Sequence, residues 1–469
     1  MLPDPSWADT RTWETDILPN MGPRLGIFYF RQKSYPSYKY DMGLDRNFYP
    51  QKPMLGDEDW QHIIDYYTSI SPDTMPSLQK RPYAIKKNMS QFTSVIPKFQ
   101  YPVPTTTYVK IDTSNPATPI IICDAKKQVV YRFDKNLVPF DSVQTKGPVV
   151  HIDINNRKWL TTNIGILNPN NGKYGAAGYV NILPNNKMQP DTQALFNNLE
   201  RPVEIIASDL NNDKREDYIV CEFGFLQGEL CWMENMGNRQ FTKHVLRPYP
   251  GPIKVYINDY NHDGLPDIWA LFTQGEEGIF LFTNLGNGQF SEREVLRFPP
   301  IYGSSYFEFD DFNKDGYPDI LYTCGDNADY SRVLKPYHGV YIFLNDGKYN
   351  FTQKYFFPIN GCYKAIARDF DNDGDLDIAT ISYFADYEHQ PEEGFVYLEN
   401  KGNYDFVPYS LPEGQLGRWL TMDAGDFDGD GKTDLLLGNF SVAPSFIKSK
   451  TDWQHAPPFI ILKNMGKNN

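Results

Sequence analysis

Five short stretches repeat one spacing of oxygen-bearing side chains: DLNNDKRED from Asp209, DYNHDGLPD from Asp259, DFNKDGYPD from Asp311, DFDNDGDLD from Asp369 and DFDGDGKTD from Asp426. In the pattern D-x-[DN]-x-D-G-x-x-D, the side chains at positions 1, 3, 5 and 9 can turn inward together, and position 7 adds a backbone carbonyl. Hard oxygen donors gathered this way suit calcium, which accepts about 6–8 oxygens in a flexible shell. The expected ligand sets are Asp209, Asn211, Asp213 and Asp217; Asp259, Asn261, Asp263 and Asp267; and Asp311, Asn313, Asp315 and Asp319. Two further sets are wholly acidic: Asp369, Asp371, Asp373 and Asp377, then Asp426, Asp428, Asp430 and Asp434. Glycine after the third ligand (Gly264, Gly316, Gly374, Gly431) permits a left-handed backbone there. Lys214 replaces it in the first loop, which makes that site the weakest. Asp, Asn and Gly favour plain turns too, but five such loops in phase point to about five structural calcium ions. An EF-hand is not expected, because the loops lack Glu at position 12 and join strands rather than helices.

The segments around each loop alternate with period two, the signature of strands. Apolar runs such as YIVCEF, IWALF and IATIS follow the loops. A second run ends in Asn or Gly turns (LCWMENMGN, IFLFTNLGN, VYIFLNDGK, FVYLENKGN, FIILKNMGK), and a short fourth strand such as QFTKHVL comes next. Four strands per repeat of this length describe a β-propeller blade. Weaker copies place Asp112 and Asp153 at the first loop position, so that loop starts at 112, 153, 209, 259, 311, 369 and 426 make seven blades. The expected fold is therefore all-β, a seven-bladed propeller with four-stranded blades, plus a small α-helical N-terminal segment. The chain reaches FIILKNMGKNN where a fourth strand is due, and NMSQFTSVIPKF near the other end resembles that strand. A strand over 91–96 is thus expected to complete the seventh blade and to hide two edges that invite aggregation. The propeller would span 88–469, and the helical segment 1–87.

Composition narrows the function classes. Hydrophobic residues at 41% are enough for a packed core, which excludes a disordered chain. No apolar run reaches the ~20 residues that span a bilayer. The formal charge of −14 has the wrong sign for a nucleic-acid binder; five divalent ions would take it to −4. The five cysteines are scattered without a C-x-x-C pair, so neither a disulfide framework nor a thiolate zinc site is indicated. Cys221 and Cys231 fall on adjacent strands of one blade, where a bridge and buried free thiols are both open readings.

The loops and blades together resemble the FG-GAP or VCBS-type repeat family, as in the integrin α-subunit head propeller. The resemblance covers about residues 88–469 and is strongest from 200 onward. It implies a secreted or surface propeller with calcium in the loops joining first and second strands, and it implies no particular reaction.

Residues 1–87 read differently. ADTRTWETDILPNM places Trp13, Ile17 and Met21 at helical spacing, and GDEDWQHIIDYYTSI does the same with Trp60, Ile63, Ile64 and Tyr67 behind an acidic first turn. Two short helices bury little alone, so they are expected to dock on the propeller. WETDILPNMGPRLGI with YPQKPMLGDEDWQHIIDYYTSISPD resembles the latter part of a c-type cytochrome module fused to such propellers. The haem motif C-x-x-C-H is missing and no Cys precedes Cys123, so no haem is expected in the chain as given. An upstream haem motif would make the protein an electron-transfer fusion.

On the propeller face opposite the calcium loops, the connections between second and third strands lengthen along the chain. They and the interblade loops carry Asp326, Asp329, Tyr330, Lys335, His338, Asp386, Lys364, Arg418 and Trp419, expected to converge on one mouth. Aromatic rings mixed with charged groups suit a carbohydrate or protein ligand, and long loops on a rigid scaffold are where binding usually resides. His338 with Asp326 or Asp329, and Tyr330 nearby, would also suit proton abstraction in a polysaccharide lyase. No nucleophile elbow, phosphate loop or dinucleotide fingerprint is present, so no catalytic residue is assigned. The expectation is a binding or scaffold module that is extracellular, periplasmic or at the cell surface, with no nucleic acid and no transmembrane segment.

Overall fold

Strands and tight turns succeed one another from residue 92 to residue 464, and they pair into antiparallel sheets of four strands in every blade but the second, which has five. The computed structural model describes residues 3–37, 42–78, 80–327 and 333–466. Seven sheets form the propeller. Blade 3, for example, runs Pro202–Ser208, Asp217–Glu222, Glu229–Gly237 and Gln240–Arg247, and blade 6 runs Cys362–Arg368, Asp377–Ser382, Phe395–Asn400 and Phe406–Tyr409. First strands of successive blades adjoin one another and surround the central channel. In blades 3 to 7 the second strands are buried along their whole length, since neighbouring blades cover both sheet faces. The fourth strands of blades 3 and 4 keep polar faces outward, as QFTKHVLR does in blade 3.

Blade 2 departs from the repeat. Asp153, expected at the start of a loop, lies inside the first strand, Val149–Asn155, and its Oδ2 accepts the Ala207 N–H at 3.0 Å. Only Asn156 and Arg157 separate that strand from Lys158–Asn163, and Asn156 takes φ 49°. A two-residue hairpin of this kind leaves no room for a nine-residue acidic loop. The outer strand of this blade is also split, Met188–Pro190 and Phe196–Leu199 both pairing with Gly175–Ile182.

Blade 7 takes its fourth strand from the other end of the chain. Phe92–Val95 pairs antiparallel with Phe459–Asn464, with Phe92 opposite Asn464 and Val95 opposite Ile461. The Gln91 side-chain amide reinforces the join, donating to Asn464 Oδ1 at 2.7 Å and to the Phe370 carbonyl of blade 6 at 2.9 Å.

The N-terminal segment contains a short helical stretch from Thr10 to Met21 and the helix Asp57–Ile70. Its interior is aromatic: Trp13 stacks on Tyr67 at 4.2 Å, and the Trp60 indole N–H donates to the Tyr35 hydroxyl at 2.8 Å. Ile301 of the propeller packs against that cluster. The Tyr337 hydroxyl donates to the Trp7 carbonyl at 3.0 Å, and the Asp45 N–H donates to Gln227 Oε1. All these propeller residues lie in loops opposite the acidic ones, so the segment docks on the face expected to hold the ligand. From there the chain follows the outer edge of blade 6, where Lys86 bridges to Tyr409.

Arg81 anchors this strap. Its Nε donates to the Pro358 carbonyl at 2.8 Å, and its guanidinium pairs with the fully buried Glu393, which also accepts from Asn360 Nδ2 at 2.9 Å. Burial pushes the Glu393 carboxyl up to about 7 from an ordinary 4.5, against the pull of Arg81. A carboxyl raised in the folded state contributes stability that is full below about pH 4.5 and lost as pH rises through 7. Removing Arg81 leaves the ionised group unpaired above that window. Arg81→Ala should therefore cost about 1–3 kcal/mol at pH 8 and markedly less at pH 5.5, read by urea unfolding beside the parent at each pH. Equal losses at both values would refute the pairing.

Cys221 and Cys231 are not bridged. Cys221 pairs across with Leu230 and Cys231 with Val220, so the two side chains point to opposite sheet faces and into different interblade cores. All five cysteines are buried free thiols, and burial raises each one.

Candidate metal loops and ligand surfaces

The five acidic loops share one backbone path. Position 1 receives two backbone donors: in the fourth loop, Asp369 Oδ1 accepts the Asp373 N–H at 3.1 Å and Oδ2 the Gly374 N–H at 3.0 Å. The same pair of bonds recurs at Asp209, Asp259, Asp311 and Asp426. Two left-handed positions make the turn. Position 6 takes φ 82–94° where it is glycine, and Lys214 is forced to φ 67° in its place. Position 4 is left-handed as well, at Asn212, His262, Lys314, Asn372 and Gly429.

The ninth position starts the second strand and is buried in every loop: Asp217, Asp267, Asp319, Asp377 and Asp434. Each is held by an asparagine of the third strand that the sequence reading treats only as a turn residue. The backbone N–H groups of Asn235, Asn284, Asn345, Asn400 and Asn464 donate to these carboxylates, all at 2.8 Å. Their side-chain amides donate to the carbonyl just before the same Asp, at 3.0–3.2 Å. Their Oδ1 atoms accept from the glycine two residues on. The N-x-G repeated in NMG, NLG, NDG and NKG is the signal that carries this lock.

Burial is the main cause that raises these ninth-position carboxyls, with nearby acids adding to it: Asp319 to about 6, Asp377 and Asp434 to about 7. Asp369, Asp371 and Asp377 bring carboxylate oxygens within 4.8 Å of one another, as do Asp426, Asp428 and Asp434. Like charges at that spacing repel by about 3–4 kcal/mol per pair at an effective dielectric near 20. An all-oxygen set of converging carboxylates on a preformed turn fits a hard divalent cation. The loops are not equal. Arg215 pairs with Asp213, and Asn211 donates to Glu234, which draws two donors of the first loop aside. Lys463 pairs with Asp428 and approaches Asp430 at 3.5 Å.

Among the described residues, only Asp326 and Lys335 of the expected ligand set line a common cavity. Trp419 is wholly buried in the core between blades 6 and 7, with its indole N–H donating to the Gly414 carbonyl. Arg418 is equally buried; its Nε and Nη1 hold the Tyr383 and Val442 carbonyls at 3.0 and 2.8 Å, and it stacks on Tyr383 at 3.5 Å. These bonds tie the long loops of blades 6 and 7 together, where Tyr387 packs on Trp453 at 4.7 Å. The loop aromatics are spent on packing one loop against the next. His338 is fully buried with neither ring nitrogen partnered among the described residues, and burial holds it well below its usual range. Lys335 is buried with its amine on Asn327 Oδ1 at 2.5 Å. Burial thus places His338, Arg418 and Trp419 out of a ligand's reach, whereas the mostly buried Lys335 still lines a cavity.

Asp386 accepts from its own neighbour His389 at 3.0 Å. Lys364 lies in the central channel over the Tyr306 ring at 4.6 Å, on a first strand rather than in a loop. Asp329 and Tyr330 fall outside the described residues. Asp326 lines a cavity of about 490 Å³ between the N-terminal segment (Ile17, Met21, Arg24) and blades 3 to 5, with Glu277 beneath. A larger cavity, about 920 Å³, opens at the acidic-loop end of the channel and is walled by tyrosines.

A family model for the FG-GAP-like repeat matches residues 209–270 and 259–322, which include the first three acidic loops. The chain is a seven-bladed β-propeller that carries FG-GAP-like repeats. The match does not extend to the N-terminal segment. No curated protein matches the chain. Among solved structures, BBS1N in complex with ARL6DN is 9% identical with a TM-score of 0.47, covering 81% of this chain and 99% of that one. The Pan2 WD40 domain of Neurospora crassa is 11% identical with a TM-score of 0.48, covering 82% and 99%.

Proposed function

We propose that this propeller is a calcium-stabilised binding and scaffold module for carbohydrate or protein partners, acting outside the cytoplasm, either secreted, periplasmic or at a cell surface. The observation that carries the reading is the fivefold acidic loop, with the same backbone bonds and the same asparagine lock in blades 3 to 7. Repeated sites of this kind are structural, because a reaction centre occurs once and breaks a repeat. Asp369, Asp371, Asp373 and Asp377 form the most favourable set, and Asp209, Asn211, Asp213 and Asp217 the least. Sites of micromolar to millimolar affinity are filled where calcium is abundant, which is the support for an extracytoplasmic setting. No described helix is long and apolar enough to cross a membrane. The lyase alternative takes His338 as its base, and the burial of that imidazole favours the binding reading.

Metal analysis after exhaustive dialysis in chelator-free, calcium-free buffer should return four or five calcium ions per chain. Adding a chelator should then lower the Tm, since an ion bound only by the folded state stabilises it by mass action. Fewer than two ions, or a Tm indifferent to chelator, would sink the reading.

A further inference from the structure

We propose that the acidic-loop end of the central channel is a glycan-binding site that takes a neutral saccharide chain. This rests on the binding-module reading above and places its ligand on the face opposite the long loops. The cavity there, about 920 Å³, is within the range of sites for small ligands, about 300–1,000 Å³.

Its lining is aromatic: Tyr256, Tyr260, Tyr306, Tyr317 and Tyr349 with Phe309. Lys254 and Lys364 stand over the Tyr256 and Tyr306 rings at 4.6 Å, which leaves Tyr317 as the open platform. Trp269 backs them, 5.9 Å from Tyr260, 5.5 Å from Tyr349 and 5.1 Å from Phe309, so the wall is rigid. Tyr317 lies flat on the backbone of Gly347, where a Cβ would meet its ring at 2.8 Å, and the residue remains 49% exposed. Rings fixed this way offer apolar platforms for the C–H faces of sugars, at little cost in side-chain freedom.

Between the rings stand paired charges. Lys110 meets Asp423 at 3.2 Å, and Arg368 meets Glu308 at 3.5 Å. Each pair sets donors beside acceptors, the arrangement that neighbouring sugar hydroxyls require, because every hydroxyl both donates and accepts. The two cations are already committed to carboxylates, and Asp259 adds another acid at the rim. The described lining thus offers no unpaired cation to a polyanion. The cavity therefore selects against uronic-acid polymers and phosphates.

The test is a microarray of neutral and acidic glycans probed with the calcium-loaded protein, followed by calorimetry with the best neutral oligosaccharide. Two variants accompany it: Tyr317→Ala at the cavity, and Tyr174→Ala, an exposed tyrosine in a blade 2 loop on the other face. Neutral glycans should bind, Tyr317→Ala should weaken the hit at least tenfold, and Tyr174→Ala should leave it unchanged. A folded protein with intact calcium content that binds no neutral glycan overturns the proposal, as does preference for acidic glycans. Undiminished binding by Tyr317→Ala overturns it too, while leaving the binding-module reading standing. Loss of calcium content would be a separate failure, of that reading alone.

Discussion

Replacing Phe92 with alanine is expected to destabilise the protein by about 3–5 kcal/mol, the range for deleting a buried phenyl ring. Phe92 is the first residue of the strand that closes the propeller, and its ring meets Phe370 and Tyr397 of blade 6 edge-on, both at 5.4 Å. It therefore joins the last two blades as well as the two ends of the chain. Loosening it also uncovers the edge of Phe459–Asn464, whose FIIL run is a ready template for strand addition. Ile96, 44% exposed just past the strand, is the control, and Ile96→Ala should cost no more than about 0.5 kcal/mol. Urea unfolding gives the two values, and light scattering on warming should show Phe92→Ala aggregating first. A loss no larger than that of Ile96→Ala would mean that closure contributes little.

Asp377→Ala should have an effect of similar size, for a different reason. The Asp377 carboxylate accepts the Asn400 N–H at 2.8 Å, the Phe370 N–H at 3.2 Å and the Tyr397 hydroxyl at 2.7 Å. Alanine strands three buried donors, each costing about 1–3 kcal/mol when left without a partner. A loss of about 3 kcal/mol or more is expected in calcium-free buffer, with one fewer ion per chain by metal analysis. Asp375, two residues earlier and partly exposed, pairs among the described residues only with the surface Lys314. Asp375→Ala should change stability by less than about 1 kcal/mol and leave the ion count intact. If Asp377→Ala matched Asp375→Ala in stability, the ninth-position lock would have no structural weight. If it kept its full ion count, the ligand assignment would be wrong.

Much of the architecture is legible in the chain because it is local and repeated. Period-two alternation marks strands wherever it occurs, and a nine-residue loop with acids at fixed positions has few backbone paths open to it. Seven repeats and one displaced strand follow from comparing the sequence with itself. Asp153 departs from its expected place for the same reason: an acid in register with the others reads as a loop start, whereas it sits in a strand that ends in a two-residue turn.

The ligand surface is another matter, since it depends on contacts between residues far apart in sequence. Nothing in SYFADYEHQPEEG or GNFSVAPSFIKSKTDWQ says that Tyr383, Tyr387 and Trp453 pack together beside Arg418. Nor does the chain reveal that the N-terminal helical segment settles on that same face, because docking is decided by shape and by single partners such as Ile301, Tyr337 and Gln227. The tyrosines of the channel mouth come from blades 4 and 5, tens of residues apart, each reading as an ordinary strand or turn residue. Only closing the ring sets them around one cavity. Local spacing determines where a repeated metal loop can form, whereas a unique surface exists only after long-range packing has chosen which side chains to bury.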